Sequence, residues 1–400
     1  MAENLSLYIH FPFCRQKCRY CDFYSEIYNQ RQSLKWLGAL GREIELYRNF
    51  YSGRRVVTLY LGGGSPNLIS GEKFVKLMKI LKSAFDLNEL GEFTVESNPV
   101  RHENDFLRLL RENGVNRLNV GVQSFDEDEI RFLGRIHSVE DSIAFISHLQ
   151  QIGFRHIGLD LIYGIPGQTM ASWRRSLETA LALPADHLSL YNLTYEKGTP
   201  LQRMLEGGQI EFLNSELERQ LYLEACRLLA ENGFVHYEIS NWAKPGAQSQ
   251  HNQVYWQGSS YLGLGPAAHS FDGKSRWWNV RSVDTYIERL NANCLPIEQQ
   301  EQLSATDCEI EHLFLQLRTT EGLERRRFEN LFHIDFNRLI DRLMQLKIDE
   351  EYWQFDDGKF KLTPAGWIVS DAIIYSLLNV IEELRNDHKK SGIRTKRTGG

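Results

Sequence analysis

Across the first 240 residues the apolar positions switch repeatedly between two periods. Short, β-rich runs at Leu5–His10, Val56–Leu61, Phe93–Glu96, Arg117–Val122, Ile157–Ile162 and His187–Leu190 predict strands, with a further one at Phe234–Ile239. Between them the spacing is helical. Ile143, Ile146, Leu149 and Ile152 share one face behind Ser138, a predicted N-cap. Leu217, Leu221, Leu228 and Leu229 follow Ser215, which has Glu218 three residues on in the pattern of a capping box.

Three predicted helices end alike, at Asn113-Gly114-Val115, Ile152-Gly153-Phe154 and Asn232-Gly233-Phe234. The glycine can take a left-handed turn, and an apolar residue opens the next strand. Such punctuation predicts an α/β fold with a parallel sheet. Six units fit before residue 210, so the expected architecture is a partial (β/α)6 TIM-like barrel over residues 1–240, not a closed (β/α)8 one.

The pattern breaks near residue 240. Residues 241–304 hold turn signals and aromatics including Tyr255, Trp256, Trp277 and Trp278, and read as a connecting segment. Residues 305–384 are mainly helical, with a hairpin turn at Phe355–Phe360, which predicts a smaller winged-helix-like C-terminal domain. Residues 385–400 form a basic tail expected to lack fixed structure.

Composition narrows the function. Apolar residues make up 42% of 400, enough for a sizeable core. A formal charge of −6 spread along the chain gives no reason to expect a nucleic-acid partner. No apolar run approaches the ~18 residues of a membrane span, and the start Met-Ala-Glu-Asn lacks the pattern of a signal peptide. Of six cysteines, Cys14, Cys18 and Cys21 crowd together while Cys226, Cys294 and Cys308 are scattered. A tight cluster in a large chain points to a metal in a reducing, cytoplasmic setting.

Cys14-x-x-x-Cys18-x-x-Cys21 suits a [4Fe–4S] cubane: three thiolates take three irons, and the fourth iron stays open. Tetrahedral zinc with His10 as fourth ligand is the competing reading, although zinc loops usually come as two spaced pairs. The other unusual residues follow the predicted strands: Gly62-Gly63-Gly64-Ser65-Pro66, Glu96-Ser97-Asn98-Pro99, Gln123-Ser124, Tyr163-Gly164-Ile165-Pro166-Gly167 and Tyr191-Asn192. In a βα barrel all of these lie on the face where active sites are built.

The strings Tyr8-Ile9-His10-Phe11-Pro12-Phe13-Cys14 and Cys18-Arg19-Tyr20-Cys21-Asp22-Phe23 resemble the radical SAM superfamily. More narrowly, the chain is similar to the oxygen-independent coproporphyrinogen III oxidase group and its haem-chaperone (HemW) branch, over nearly its whole length. The resemblance implies a [4Fe–4S] cluster on Cys14, Cys18 and Cys21, with S-adenosylmethionine chelating the open iron. In that superfamily an electron from the cluster then cleaves the sulfonium to a 5′-deoxyadenosyl radical. It further implies that Tyr8 and Tyr20 flank the cluster. Gly62, Gly63, Gly64 and Ser65 would cradle the methionyl group, Ser65 standing where the family usually has threonine. Glu96 would accept from the cofactor, and Gln123, Arg135 and Asp160 would complete the pocket. Without the family, Glu96 and Asp160 read equally well as partners in a buried strand-end ion pair with an arginine, Arg135 being one candidate, and Asn192 as a turn former.

Two features separate the branches. The oxidases carry one more cysteine where this chain has Phe23, and an N-terminal extension, whereas here 13 residues precede the first cysteine. His251-Asn252-Gln253-Val254-Tyr255-Trp256 matches the HNxxYW pattern of the haem chaperones, which implies His251 as a haem ligand; a hydrogen-bonded core histidine is the alternative. His269, in Gly265-Pro266-Ala267-Ala268-His269-Ser270, is a second candidate and Cys226 a more remote one. The implied function is binding haem and passing it to an acceptor protein, such as a respiratory haem protein. Coproporphyrinogen III oxidation is the alternative, and no catalytic residue is assigned. The cluster would regulate oligomerisation, a homodimer being allowed, or gate transfer. The location would be cytoplasmic, with peripheral membrane contact only through the acceptor.

Overall fold

The computed structural model describes residues 4–99, 104–346 and 348–397, without the side chains of 104 and 387–397. Residues 1–3, part of the start read for a signal peptide, and 398–400 of the basic tail lie outside it. The described chain forms two compact units. One comprises Met1–Val235, Ser240–Val254 and Ser259–Gln302; the other comprises His236–Ile239, Tyr255–Gly258 and Leu303–Gly400.

In the first unit the six expected strands are present as β1 (Asn4–Phe11), β2 (Arg55–Gly63), β3 (Glu92–Ser97), β4 (Arg117–Gln123), β5 (His156–Tyr163) and β6 (His187–Asn192). They pair in parallel in chain order. Residues 241–304, read as a connecting segment, instead extend this sheet through β7 (Asn241–Ala243), β8 (Tyr261–Leu264), β9 (His269–Phe271), β10 (Ser275–Asn279) and β11 (Ile297–Gln302). Among these eleven strands the order is β11-β10-β9-β8-β1-β2-β3-β4-β5-β6-β7, and the further strand expected at Phe234–Ile239 forms as Val235–Glu238. β8 lies parallel to β1, a seventh parallel strand that four residues with an internal glycine did not announce.

Alternation along each strand separates two environments. Leu5, Leu7, Ile9 and Phe11 of β1 are buried in the apolar core with Trp36, Leu40 and Ile44 of the helix Gln30–Arg48. The opposite face carries Ser6, Tyr8 and His10, and the matching positions of neighbouring strands are Thr58, Tyr60, Thr94, Glu96 and Asn119. The barrel interior is therefore polar. At its N-terminal end Arg117 Nε meets Glu92 Oε2 at 3.0 Å, with 1% and 3% of the side chains exposed.

Local signals explain the helices that hold this sheet. Ser138 caps Val139–Ile152 in a reciprocal box with Asp141, an arrangement worth about 1 kcal/mol. The helix ends at Gly153, whose φ of 88° suits glycine alone without strain. Ser215 is not a cap: Asn214 takes that place, accepting from the backbone N–H groups of Glu216 and Leu217, one residue before the expected position.

In the second unit the strands Trp353–Asp356 and Lys359–Leu362 form the expected hairpin, with positive φ at Asp357 and Gly358. Leu323–Glu324 adds a third strand. Helices Ala305–Gln316, Arg325–Phe332 and Phe336–Gln345 bury Leu313, Phe328 and Phe336 in one core, a winged-helix-like arrangement. The last helix, Ser370–Arg397, runs through most of the stretch expected to lack structure.

Candidate functional site at the C-terminal rim of the barrel

The cluster loop leaves β1 and turns across the strand ends. Cys14, Cys18 and Cys21 are all partly exposed and free of disulfides. Burial pushes the Cys21 thiol up to about 11, and the neighbouring Cys18 and Cys14 push it the same way, so the three sulfurs sense one another. Among the described residues no three His, Cys, Asp or Glu side chains converge on a single ion. Cysteines that each serve a separate iron of a cubane need no such convergence. His10, the fourth ligand in the zinc alternative, has both ring nitrogens engaged. Its Nδ1 faces the Tyr8 hydroxyl at 3.0 Å and its Nε2 the Tyr24 carbonyl at 2.8 Å.

The glycine loop after β2 is fastened directly to the cluster loop. The Gly64 and Ser65 N–H groups donate to the Phe11 and Phe13 carbonyls at 2.7 and 2.8 Å. A Cβ at Gly64 would stand 2.4 Å from the Phe13 oxygen, and one at Gly62 would strike the Glu96 carboxylate at 2.7 Å. This close approach of two backbones is the reason for the glycine run.

Glu96 closes the loop from β3. Its two oxygens accept from the Tyr60 hydroxyl at 2.7 Å and from the Gly63 N–H at 2.9 Å. Burial raises its pKa, against both hydrogen bonds. Asp160 on β5 is raised to about 7, again mainly by burial. Neither carboxylate pairs with Arg135, so the strand-end ion pair considered from sequence is not formed. Arg135 instead donates to Cys18 Sγ at 3.4 Å, and to Asn98 Oδ1 and the Gly121 carbonyl at 2.5 Å each. Its Nε is buried without a partner, a donor suited to an anionic ligand.

Gln123 ends β4 with φ 72°, just after a register slip against β5. A left-handed non-glycine residue costs about 1–3 kcal/mol and is often found at ligand sites. A side chain at Gly121 would meet Gln123, Arg135 and Asn98 within 3.5 Å, so these three gather over that glycine. Tyr20 lies beside them: its hydroxyl is raised by burial, against the pull of Arg135. The structure thus brings Tyr8, Tyr20, the glycine loop, Ser65, Glu96, Gln123, Arg135 and Asp160 to one rim with the cysteines.

Sequence reasoning overlooked two residues here. Asn98 donates to Ser65 Oγ at 2.7 Å while accepting from Arg135, and so links three rim elements. Tyr60 carries Glu96 from below. Asn98 sits in the strand-end string already singled out, and inward alternation along β2 pointed to Tyr60.

Residues 8–180 match the Radical SAM superfamily model, and residues 303–369 match the HemN C-terminal domain model. The chain is 32% identical over 377 residues to the heme chaperone HemW of Bacillus subtilis (strain 168), covering 93% of this chain and 99% of that one. It belongs to the HemW family of radical SAM proteins. The HemW heme chaperone of Mycobacterium tuberculosis (strain ATCC 25618 / H37Rv) is 34% identical over 388 residues, 94% of this chain and 95% of that one. The coproporphyrinogen III oxidase HemN of Escherichia coli, a radical SAM enzyme, superposes with a TM-score of 0.80 at 25% identity, over 95% of this chain and 90% of that one. Radical SAM membership implies a [4Fe–4S] cluster and S-adenosylmethionine, and the rim described above fits both.

The HNxxYW histidine of this HemW-family chain does not face that rim as a ligand would. His251 is 1% exposed. Its Nδ1 is 2.8 Å from Thr58 Oγ1, and its ring lies 5.1 Å from that of Tyr60. The His251 N–H donates to Glu92 at 2.9 Å, as do the Gln250 N–H and the Ser249 hydroxyl. Burial lowers its pKa to about 4, so it is neutral, but it is a hydrogen-bonded interior residue. Cys226 packs against the core, its thiol raised to about 12 by burial, and Asn192 bonds Glu218. Phe23, at the position where the oxidases have cysteine, is 70% exposed. No helix of the described residues is long and apolar enough to cross a membrane.

Proposed function

We propose that this chain is a haem chaperone: it binds haem, keeps a [4Fe–4S] cluster with S-adenosylmethionine, and hands haem to an acceptor protein, with respiratory haem proteins as the expected class. The observation that carries the reading is the match, over more than nine tenths of the chain, to proteins named heme chaperone HemW. Cys14, Cys18 and Cys21 would hold the cluster, and when bound the pair of cofactors supplies one-electron chemistry at the open iron. The chain's own part is positioning. Glu96 fixes the Gly63 N–H, Asn98 ties Ser65 to Arg135, and Arg135 steadies the Cys18 sulfur. Asp160 and Gln123 complete the polar wall. The chain would work in the cytoplasm and reach a membrane only through its acceptor, with the cluster regulating a homodimer or gating transfer.

A second reading, oxidative decarboxylation of coproporphyrinogen III, draws on the likeness to HemN. Phe23, standing where the oxidases carry a further cysteine, speaks for the chaperone. The test is an anaerobic pair of assays on the reconstituted protein. Haem titration is expected to saturate near one haem per chain, and incubation with coproporphyrinogen III, reductant and S-adenosylmethionine to give no protoporphyrinogen IX. Turnover to protoporphyrinogen IX, or a protein that takes up no haem, would defeat the proposal.

A further inference from the structure

With His251 interior, the haem reading needs an accessible ligand, and the first unit offers one. His269 on β9 is exposed, and it pairs directly with Trp278 on β10. The two rings stack with centroids 5.5 Å apart at 24°. Strand alternation sorts the paired tryptophans. Trp277 turns inward, its indole N–H donating to the Tyr47 hydroxyl at 3.1 Å, while Trp278 stays part-exposed.

The next paired position on the same face of β9 and β10 is Phe271 opposite Arg276, with the guanidinium 5.7 Å from the Phe271 ring. Arg276 also meets Glu301 of β11 at 3.4 Å. Arg281 is exposed and lies 6.0 Å over the Tyr24 ring. Burial lowers the pKa of His269, Arg276 and Arg281 lower it further, and Glu301 opposes them. The imidazole is therefore neutral near pH 7 and has a lone pair to offer. Arg281 also acts on His10, four residues before Cys14, so this face adjoins the cluster side of the barrel.

We infer that His269 is the axial ligand to haem iron, on a face completed by Trp278, Arg276 and Arg281. The inference rests on the haem-chaperone reading and deepens it. An axial imidazole stands upright on the porphyrin plane, so Trp278, stacked against it, holds that orientation and meets the macrocycle edge-on. The two guanidinium groups suit the two propionates, by charge and by their forked donors. The step is coordination alone: one imidazole nitrogen donates to the iron, displacing water.

The support beneath the face is buried. Glu43 accepts from the Gly265 N–H at 2.8 Å and from Tyr286 Oη at 2.5 Å, and from Asn279 Nδ2 at 2.6 Å. These bonds hold the turn into β9 and the end of β10 in place, so a substitution at His269 leaves the scaffold intact.

The experiment is a haem titration of the reconstituted full chain, followed by its Soret spectrum, in the unsubstituted protein and in His269→Ala, Trp278→Ala and His251→Ala. His269→Ala should bind haem at least tenfold more weakly, lose the imidazole-type spectrum, and regain it on adding free imidazole, while its iron and sulfide content is unchanged. Trp278→Ala should weaken binding by less. His251→Ala should keep the spectrum wherever it folds. Unaltered affinity and spectrum in His269→Ala, or loss of the spectrum in a folded His251→Ala alone, overturns the assignment. Failure of the unsubstituted protein to bind haem overturns the chaperone reading itself, and this inference with it.

Discussion

Replacing Cys14, Cys18 or Cys21 with serine should lower the iron and sulfide of the anaerobically reconstituted protein from about four of each per chain to background. The size of the effect follows from the donor set. The three sulfurs sit on one loop, and in the metal-free chain Cys21 resists ionisation because it is buried beside Cys18 and Cys14. Bound iron supplies the positive charge that makes those thiolates stable together, and a serine hydroxyl does not ionise to take a thiolate's place. Cys226 does not stand in: it is packed against the core and is raised to about 12 by burial. Iron and labile-sulfide analysis of the purified variants is the check, and full loading of any single variant contradicts the site.

The second large effect is on stability, at the opposite end of the barrel. Glu92→Ala leaves Arg117 charged, 1% exposed and without its carboxylate. The remaining acceptors of Arg117 are the Ala247 and Gln248 carbonyls, at 2.7 and 3.3 Å. Three donors, the Ser249 hydroxyl and the N–H groups of Gln250 and His251, lose their acceptor at the same time. Removing one partner of a buried pair costs about 3–5 kcal/mol, because the other charge stays desolvated. Urea unfolding monitored by the tryptophans of the first unit should report that loss. A change below about 1 kcal/mol would mean that solvent reaches the pair, contrary to its burial.

The parts of this molecule written in local pattern were legible in the sequence. The six barrel strands stand within two residues of their predicted positions at each end, because β-rich runs ended by glycine or polar motifs repeat six times. The rim residues were found for the same reason, since each follows a strand. What depended on distant partners was not legible. The sequence around His251 matches a ligand motif, yet Thr58 and Glu92, far away in the chain, make it an interior hydrogen-bonded residue. β8 is too short to show a period, and only its pairing with β1 reveals it. Asn214 and Ser215 are both good caps, and nothing local chooses between them.

The most direct test of the rim is electron paramagnetic resonance of the reduced, fully loaded protein, recorded as S-adenosylmethionine is added. With one iron lacking a protein ligand, the spectrum should shift and saturate, and Glu96→Ala should need more of the cofactor to reach the same end point. A spectrum that does not respond, from a cluster shown to be intact, would mean that the fourth iron is already taken and that this rim does not hold S-adenosylmethionine.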